Sequence, residues 1–182
     1  TGGFTVDPKK LPQIYDTWPS DTPILIHLDD ERPDWLKLVL EEVKRTKKAT
    51  HFCHISTQAE MEILIEAKQQ NLPIFIGVTP HHLFLNKNDE NRLGAFGKMK
   101  PGLKTEENVQ FLWQNMKFID VIESDHAPHT RREKESCPYP YGVPGLETTL
   151  PCLMTAVKEH QLTTQDIINK CLINPATIFR VP

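Results

Sequence analysis

Four short, continuous apolar runs recur along this chain, and each gives way to a stretch with helical periodicity. The runs are residues 23–28, 49–55, 73–78 and 118–123. Strands that are apolar without alternation are buried on both faces, which is the condition of a parallel sheet whose crossovers are helices. The intervening helices are expected over about residues 35–47, 58–70, 105–116 and 145–160. The second of them shows its apolar stripe at Met61, Leu64, Ile65 and Ala67. A last helix is expected from Thr163, whose hydroxyl suits an N-cap. A long polar loop is expected after the third strand, and a Pro- and Tyr-rich loop over residues 137–144. A closed eight-stranded barrel of this kind takes about 250 residues. The 182 residues here, with four strands, therefore hold roughly half of one. The expectation is an α/β fold forming half of a (β/α)8 barrel, with residues 1–182 as a single partial domain that ends in helices.

Composition narrows the function classes. The formal net charge is -3, and the Lys and Arg residues are scattered, which speaks against nucleic acid as a partner. No apolar stretch approaches membrane-spanning length. Cys53, Cys137, Cys152 and Cys171 show no CxxC spacing, so reduced thiols in a cytoplasmic protein are expected, rather than a zinc knuckle or a disulfide framework.

Chemistry concentrates where the strands end. Ser124-Asp125-His126-Ala127-Pro128-His129-Thr130 follows the fourth apolar run directly. Side chains converge at the C-terminal edge of a parallel sheet, and ligands bind there. His27 ends the first run and His54 the second, so His27, His54 and Asp125 should meet at one mouth. Taken alone, His27 reads as a satisfied core histidine, and the Asp-His segment as a polar turn. Two imidazoles and a carboxylate at matching strand ends read as a metal site. Side chains alternate along a strand, so His51 and His54 should face opposite sides, with His54 inward and His51 towards the helices.

A family resemblance rests on these segments in order. They are His27 in Ile-Leu-Ile-His-Leu, His54 in His-Phe-Cys-His-Ile-Ser, the run Thr79-Pro80-His81-His82-Leu83-Phe84-Leu85, the segment 124–130, and Pro144-Gly145-Leu146-Glu147-Thr148. The series resembles the dihydroorotases of the amidohydrolase superfamily. Leu112-Trp113-Gln114-Asn115-Met116 is most similar to the dihydroorotase domains of animal-type multifunctional pyrimidine-biosynthesis proteins. The resemblance implies the C-terminal half of a (β/α)8 barrel and a reversible, zinc-dependent cyclisation of N-carbamoyl-L-aspartate to L-dihydroorotate. It implies two zinc ions, with His27 and His54 on the more exposed one. Asp125 would bind the other and act as general base. It assigns the substrate carboxylate to His129 and the ring edge to the backbone at Pro144 and Gly145. Lys100 stands where relatives usually carry Arg or Asn, and reads equally as a solvated loop lysine. His81 and His82 either shape the pocket or serve structure, and Cys53 reads as packed. Gly77 stands where an acid is common in relatives.

The family's His-x-His pair and carboxylated lysine do not occur here and are expected upstream. The segment is thus expected to be an excerpt of a longer polypeptide, inactive alone and needing its missing N-terminal barrel half. A homo-oligomer, in some cases within a multifunctional chain, is the expected assembly. Two alternatives stand: another cyclic amidohydrolase of the allantoinase or hydantoinase type, and a non-catalytic dihydroorotase-like scaffold.

Overall fold

A computed structural model describes residues 6–28 and 33–181. Its centre is a four-stranded sheet in the order β1 (Ile24–Ile26), β2 (Thr50–Phe52), β3 (Ile74–Val78) and β4 (Val121–Ile122), with every neighbouring pair parallel. Strand order follows chain order, which is what successive strand–helix units produce when each crossover has the same hand. Pairs Ile24–Thr50–Ile74 and Ile26–Phe52–Ile76 are in register, and the intervening row is Leu25–His51–Phe75.

The helices in chain order are α1 (Leu11–Thr17), α2 (Pro33–Thr46), α3 (Gln58–Gln69), α4 (Pro80–Phe84), α5 (Lys87–Leu93), α6 (Glu106–Gln114), α7 (Arg131–Lys134), α8 (Gly145–Lys158), α9 (Thr164–Ile168) and α10 (Asn174–Phe179). One face of the sheet, carrying Ile24, Phe52, Ile74, Ile76 and Ile122, shares a core with Leu36, Val39 and Val43 of α2, Met61 and Leu64 of α3 and Leu112 of α6. Leu25 on the other face is 49% exposed. That contrast is the signature of an arc of barrel: helices cover the outside, and the concave side lies open along β1. Among the described residues no helix is long and apolar enough to cross a membrane.

The four strands and the helices near 35–47, 58–70, 105–116 and 145–160 are where the periodicity puts them. Thr163 caps α9, accepting from the Asp166 N–H in a reciprocal capping box. Two stretches differ. The expected long polar loop contains α4 and α5, because Thr79 and Asn86 both cap helices, the first with Pro80 following and the second with Asp89 completing a capping box. The N-terminal α1 was not anticipated. Tyr15 anchors it: its phenol is fully buried and lies 3.0 Å from the Thr50 hydroxyl, and burial pushes its pKa to about 12.

Two buried lysines pin irregular backbone. Lys134 donates to the carbonyls of Lys98, Pro140 and Gly142 at 3.0, 3.0 and 3.1 Å, using all three ammonium protons. Lys170 donates to Met116 and Ile119, tying a π-helical turn (Asn169–Ile173) to the entry of β4. The first fixes the 137–144 loop against residue 98, and so shapes the rim of the mouth.

Candidate metal centre

The ladder between β2 and β3 contains one residue too many, and the site is built on it. Thr50 N–H bonds to the Pro73 carbonyl, twenty-three residues ahead, whereas Ile55 N–H bonds to Gly77, twenty-two ahead. A regular ladder would have sent the His54 N–H to Gly77. His54 is the supernumerary residue, and its backbone takes the left-handed φ of 40°. An extra residue of this kind re-aims the strand and shifts the alternation by one. His51 lies on the sheet face opposite the α2, α3 and α6 core, in the row of Leu25 and Phe75, with its ring edge-on to Phe179 of α10 at 5.2 Å. The expectation that it turns towards the helices thus holds for α10 alone. His51 Nε2 lies 3.0 Å from Glu123 Oε2, and His54 N–H donates to Glu123 Oε1 at 2.5 Å, so one carboxylate touches both.

That turn brings the strand-end histidines together. His27 Nδ1 and His54 Nε2 are 2.8 Å apart, with ring centroids 4.9 Å apart and planes tilted by 56°. Burial lowers the His54 pKa to about 4, with the neighbouring His27 adding to it, and burial also lowers that of His27. Both rings are therefore neutral near pH 7, the state in which imidazole binds a metal. His54 Nδ1 is buried without a hydrogen-bond partner, as is His81 Nε2.

Asp125 stands beyond the end of β4, also in a left-handed backbone, with φ 42°. A left-handed non-glycine residue costs about 1–2 kcal/mol. Such strain gathers at functional sites, and here it falls on two of the three residues that sequence alone put forward as ligands. Burial, and then the charge of Glu123, raise the Asp125 pKa to about 6. Burial first, then the Glu123 and Asp125 carboxylates, push the Cys53 thiol far above its usual range. Neutral imidazoles facing each other beside partly buried carboxylates lack a positive charge, and an N/O donor set of this kind suits a divalent transition metal. The residues present fit the expected metal.

Glu123 escaped the sequence reading, although a signal was available. It lies two residues before Asp125, and period-2 alternation puts the two on one side of a strand. With His51 and Cys53 it forms a cluster of donor atoms, all within 4.8 Å of one another, and among the described residues this grouping does not take in His27, His54 or Asp125.

His81 and His82 part ways. His82 is clamped between the Thr79 hydroxyl (2.8 Å from Nδ1) and the Pro101 carbonyl (3.1 Å from Nε2), so it serves structure by holding the 94–103 segment. His81 is also buried, and burial and then His54 bring its pKa down to about 4. Burial, and secondarily His81, hold His82 well below 6.5. Because these folded-state values lie below the unfolded 6.5, the neutral rings stabilise the fold fully above pH 6.5. That contribution is lost as pH falls from 6.5 towards 4. Urea unfolding at pH 7 and pH 4 is expected to show a loss of about 3 kcal/mol from His81 alone, and His81→Gln should flatten the dependence.

The residues expected to hold substrate are only partly gathered. His129 and Pro144 line a cavity of about 320 Å³ with Phe96, Arg131, Lys134 and Gly142. His129 Nε2 donates to the Tyr141 carbonyl at 3.0 Å, and Nδ1 lies 4.0 Å from Glu133. The Lys100 ammonium sits over the Tyr141 ring, 5.0 Å from its centre. Gly145 is buried, and its N–H donates to Val143 at 2.9 Å, so that donor is already engaged within the loop. Ala127 N–H bonds to the Val143 carbonyl at 3.0 Å, which joins the 137–144 loop to the segment just after Asp125.

Comparison with known proteins bears on the family. No protein-family profile matches the chain. It is 40% identical over 192 aligned residues to a dihydroorotase of Pyrococcus horikoshii, an alignment covering all of this chain and 44% of that protein. It is 39% identical over 169 residues to the multifunctional protein CAD of Squalus acanthias, covering 92% of this chain and 7% of that one. In fold it is similar to an L-hydantoinase (dihydropyrimidinase) from Arthrobacter aurescens, with a TM-score of 0.88 and 19% identity, over 99% of this chain and 49% of that one. It is likewise similar to the inactive dihydroorotase-like domain of a Chaetomium thermophilum CAD-like multifunctional protein, with a TM-score of 0.79 and 22% identity, over 100% of this chain and 50% of that one. The arc of four parallel strands is thus part of a TIM-type barrel. The chain spans less than half the length of the curated relatives it matches, and its sequence is similar to dihydroorotases over most of its own length, as a C-terminal segment of one would be.

Proposed function

We propose that the protein carrying this segment is a dihydroorotase, interconverting L-dihydroorotate and N-carbamoyl-L-aspartate at the mouth formed by His27, His54 and Asp125. The observation that carries the reading is the 2.8 Å approach of two neutral imidazoles from neighbouring strand ends, in a chain with dihydroorotase relatives. Residues 1–182 act as one partial domain, the C-terminal half of the barrel. The other half brings the His-x-His pair and the carboxylated lysine. The polypeptide works in the cytoplasm as a homo-oligomer, and within a larger multifunctional chain where it is fused.

His27 and His54 hold the more exposed of two zinc ions, and Asp125 contributes to the other. Bound there, the ions supply hydroxide near neutrality and polarise the scissile carbonyl. Asp125 accepts the proton released on attack at the ring amide and returns it to the leaving nitrogen. His129 receives the substrate carboxylate, giving up its bond to Tyr141 as it does so. Pro144 and Gly145 wall the ring edge, and Lys100 adds positive charge at the rim without the two-pronged geometry of arginine.

The test is hydrolysis of L-dihydroorotate by the full-length protein before chelation, after it, and after zinc is restored, with hydantoin and allantoin alongside. Zinc-restored turnover of dihydroorotate alone supports the reading. Turnover of only the other two rings moves the assignment to a different cyclic amidohydrolase. A silent scaffold is the second reading, favoured by the fold likeness to the inactive Chaetomium domain. A folded protein that binds no zinc and turns over nothing would establish it. His129→Ala separates the substrates further. Loss of a charge-assisted hydrogen bond, worth about 1.5–3 kcal/mol, should raise KM for dihydroorotate by about tenfold or more. Hydantoin, which has no ring carboxylate, should be affected little.

A further inference from the structure

We propose that Glu123 is the positioning residue of this mouth, holding His54 in the turn that aims its imidazole at His27, and that Gly77 is a glycine to make room for it. The inference rests on the metal-site reading of His27 and His54 given above.

His54 is the extra residue of the ladder, so its N–H has no strand carbonyl to meet. Its neighbours are served, with Cys53 N–H bonding to Ile26 and Ile55 N–H to Gly77. A buried N–H left alone costs about 1–3 kcal/mol, and the left-handed φ adds to that. Glu123 answers both costs. Oε1 accepts the His54 N–H at 2.5 Å, and Oε2 lies 3.0 Å from His51 Nε2 on a ring that is wholly buried. One carboxylate from the end of β4 thereby fixes two points on and beyond β2. The space it uses belongs to β3. A Cβ on Gly77 would lie 2.6 Å from Glu123 Oε1 and 2.8 Å from His51 Nε2. Any side chain at 77 would displace the carboxylate, release the His54 N–H and free the turn.

The competing use of the same atoms is direct metal ligation by His51, Cys53 and Glu123, whose donor atoms cluster within 4.8 Å. Both carboxylate oxygens already face nitrogen donors, and this favours positioning. The supporting partners of metal-binding histidines typically change metal affinity by 10–100-fold when removed.

The experiment uses the full-length protein, its Glu123→Gln, Glu123→Ala and Gly77→Ala variants, amide hydrogen exchange at His54, and Co(II) as the probe metal. Glu123→Ala and Gly77→Ala should each speed His54 exchange at least tenfold and weaken Co(II) binding by about 10–100-fold. Glu123→Gln, which keeps an acceptor oxygen, should recover most of the exchange protection. It also covers the event that the alanine variants fail to fold, since it should still exchange faster than the wild type. Exchange and Co(II) affinity within twofold of wild type in both Glu123→Gln and Gly77→Ala would overturn the proposal. So would a thiolate-to-Co(II) charge-transfer band abolished by Cys53→Ser, because Glu123 would then be a ligand. Neither readout needs turnover, so failure of the dihydroorotase reading is distinguishable. If the wild type binds no Co(II), the exchange measurement decides by itself.

Discussion

Under the proposed dihydroorotase activity, full-length protein carrying Asp125→Asn is expected to lose dihydroorotate turnover by about a thousandfold, within the range that removal of a general base produces. Asparagine has the same shape but cannot take a proton from the attacking hydroxide and hand it to the leaving nitrogen. The loss should fall on kcat, with KM changing little, because in the proposed mechanism the group acts on the reacting atoms rather than on the carboxylate end of the substrate. Stability offers an independent check. Burial and the Glu123 charge already oppose ionisation of Asp125, so the metal-free variant should be at least as stable as the metal-free wild type at pH 7. Steady-state kinetics with paired urea melts would measure both. Turnover within tenfold of wild type would remove Asp125 from the proton-transfer role.

Gly145→Ala is expected to destabilise the fold strongly. The new Cβ would collide with the Ser124 carbonyl oxygen, and Ser124 backbone atoms offer no flexible end that could swing aside. Helix α8 would have to back away from the end of β4, disturbing the Gly145–Val143 and Ala127–Val143 bonds behind Asp125. Overpacking of a rigid site costs about 1–3 kcal/mol. The contact here is against backbone, so a cost at or above the upper end is expected from urea unfolding. A change under about 1 kcal/mol would mean that the helix start is more yielding than its packing implies.

Legibility divides along physical lines. Periodicity is a local property, and it carried the four strands, the helices against the sheet and the meeting of His27 and His54 at neighbouring strand ends. Capping chemistry is also local. Thr163 was read from it, and Thr79 and Asn86 could have been, which would have revealed α4 and α5 inside the supposed loop. Gly77 was visible as an oddity, but its meaning was not. The atoms that need the space belong to Glu123 and His51, which stand 46 residues after it and 26 before it in the chain.

The amino-acid sequence by itself determined that this is a wound parallel sheet with its chemistry at one rim. Apolar runs of strand length must be covered on both faces, and residues after each run then emerge at the same edge. Only the tertiary structure decided which way the β2 histidines face. One residue without a ladder partner reverses the alternation, and what lets it stay is a carboxylate from β4 resting over a glycine of β3. No pattern within the strand encodes that choice, because the hydrogen bond that stabilises it is made to a residue 69 positions away.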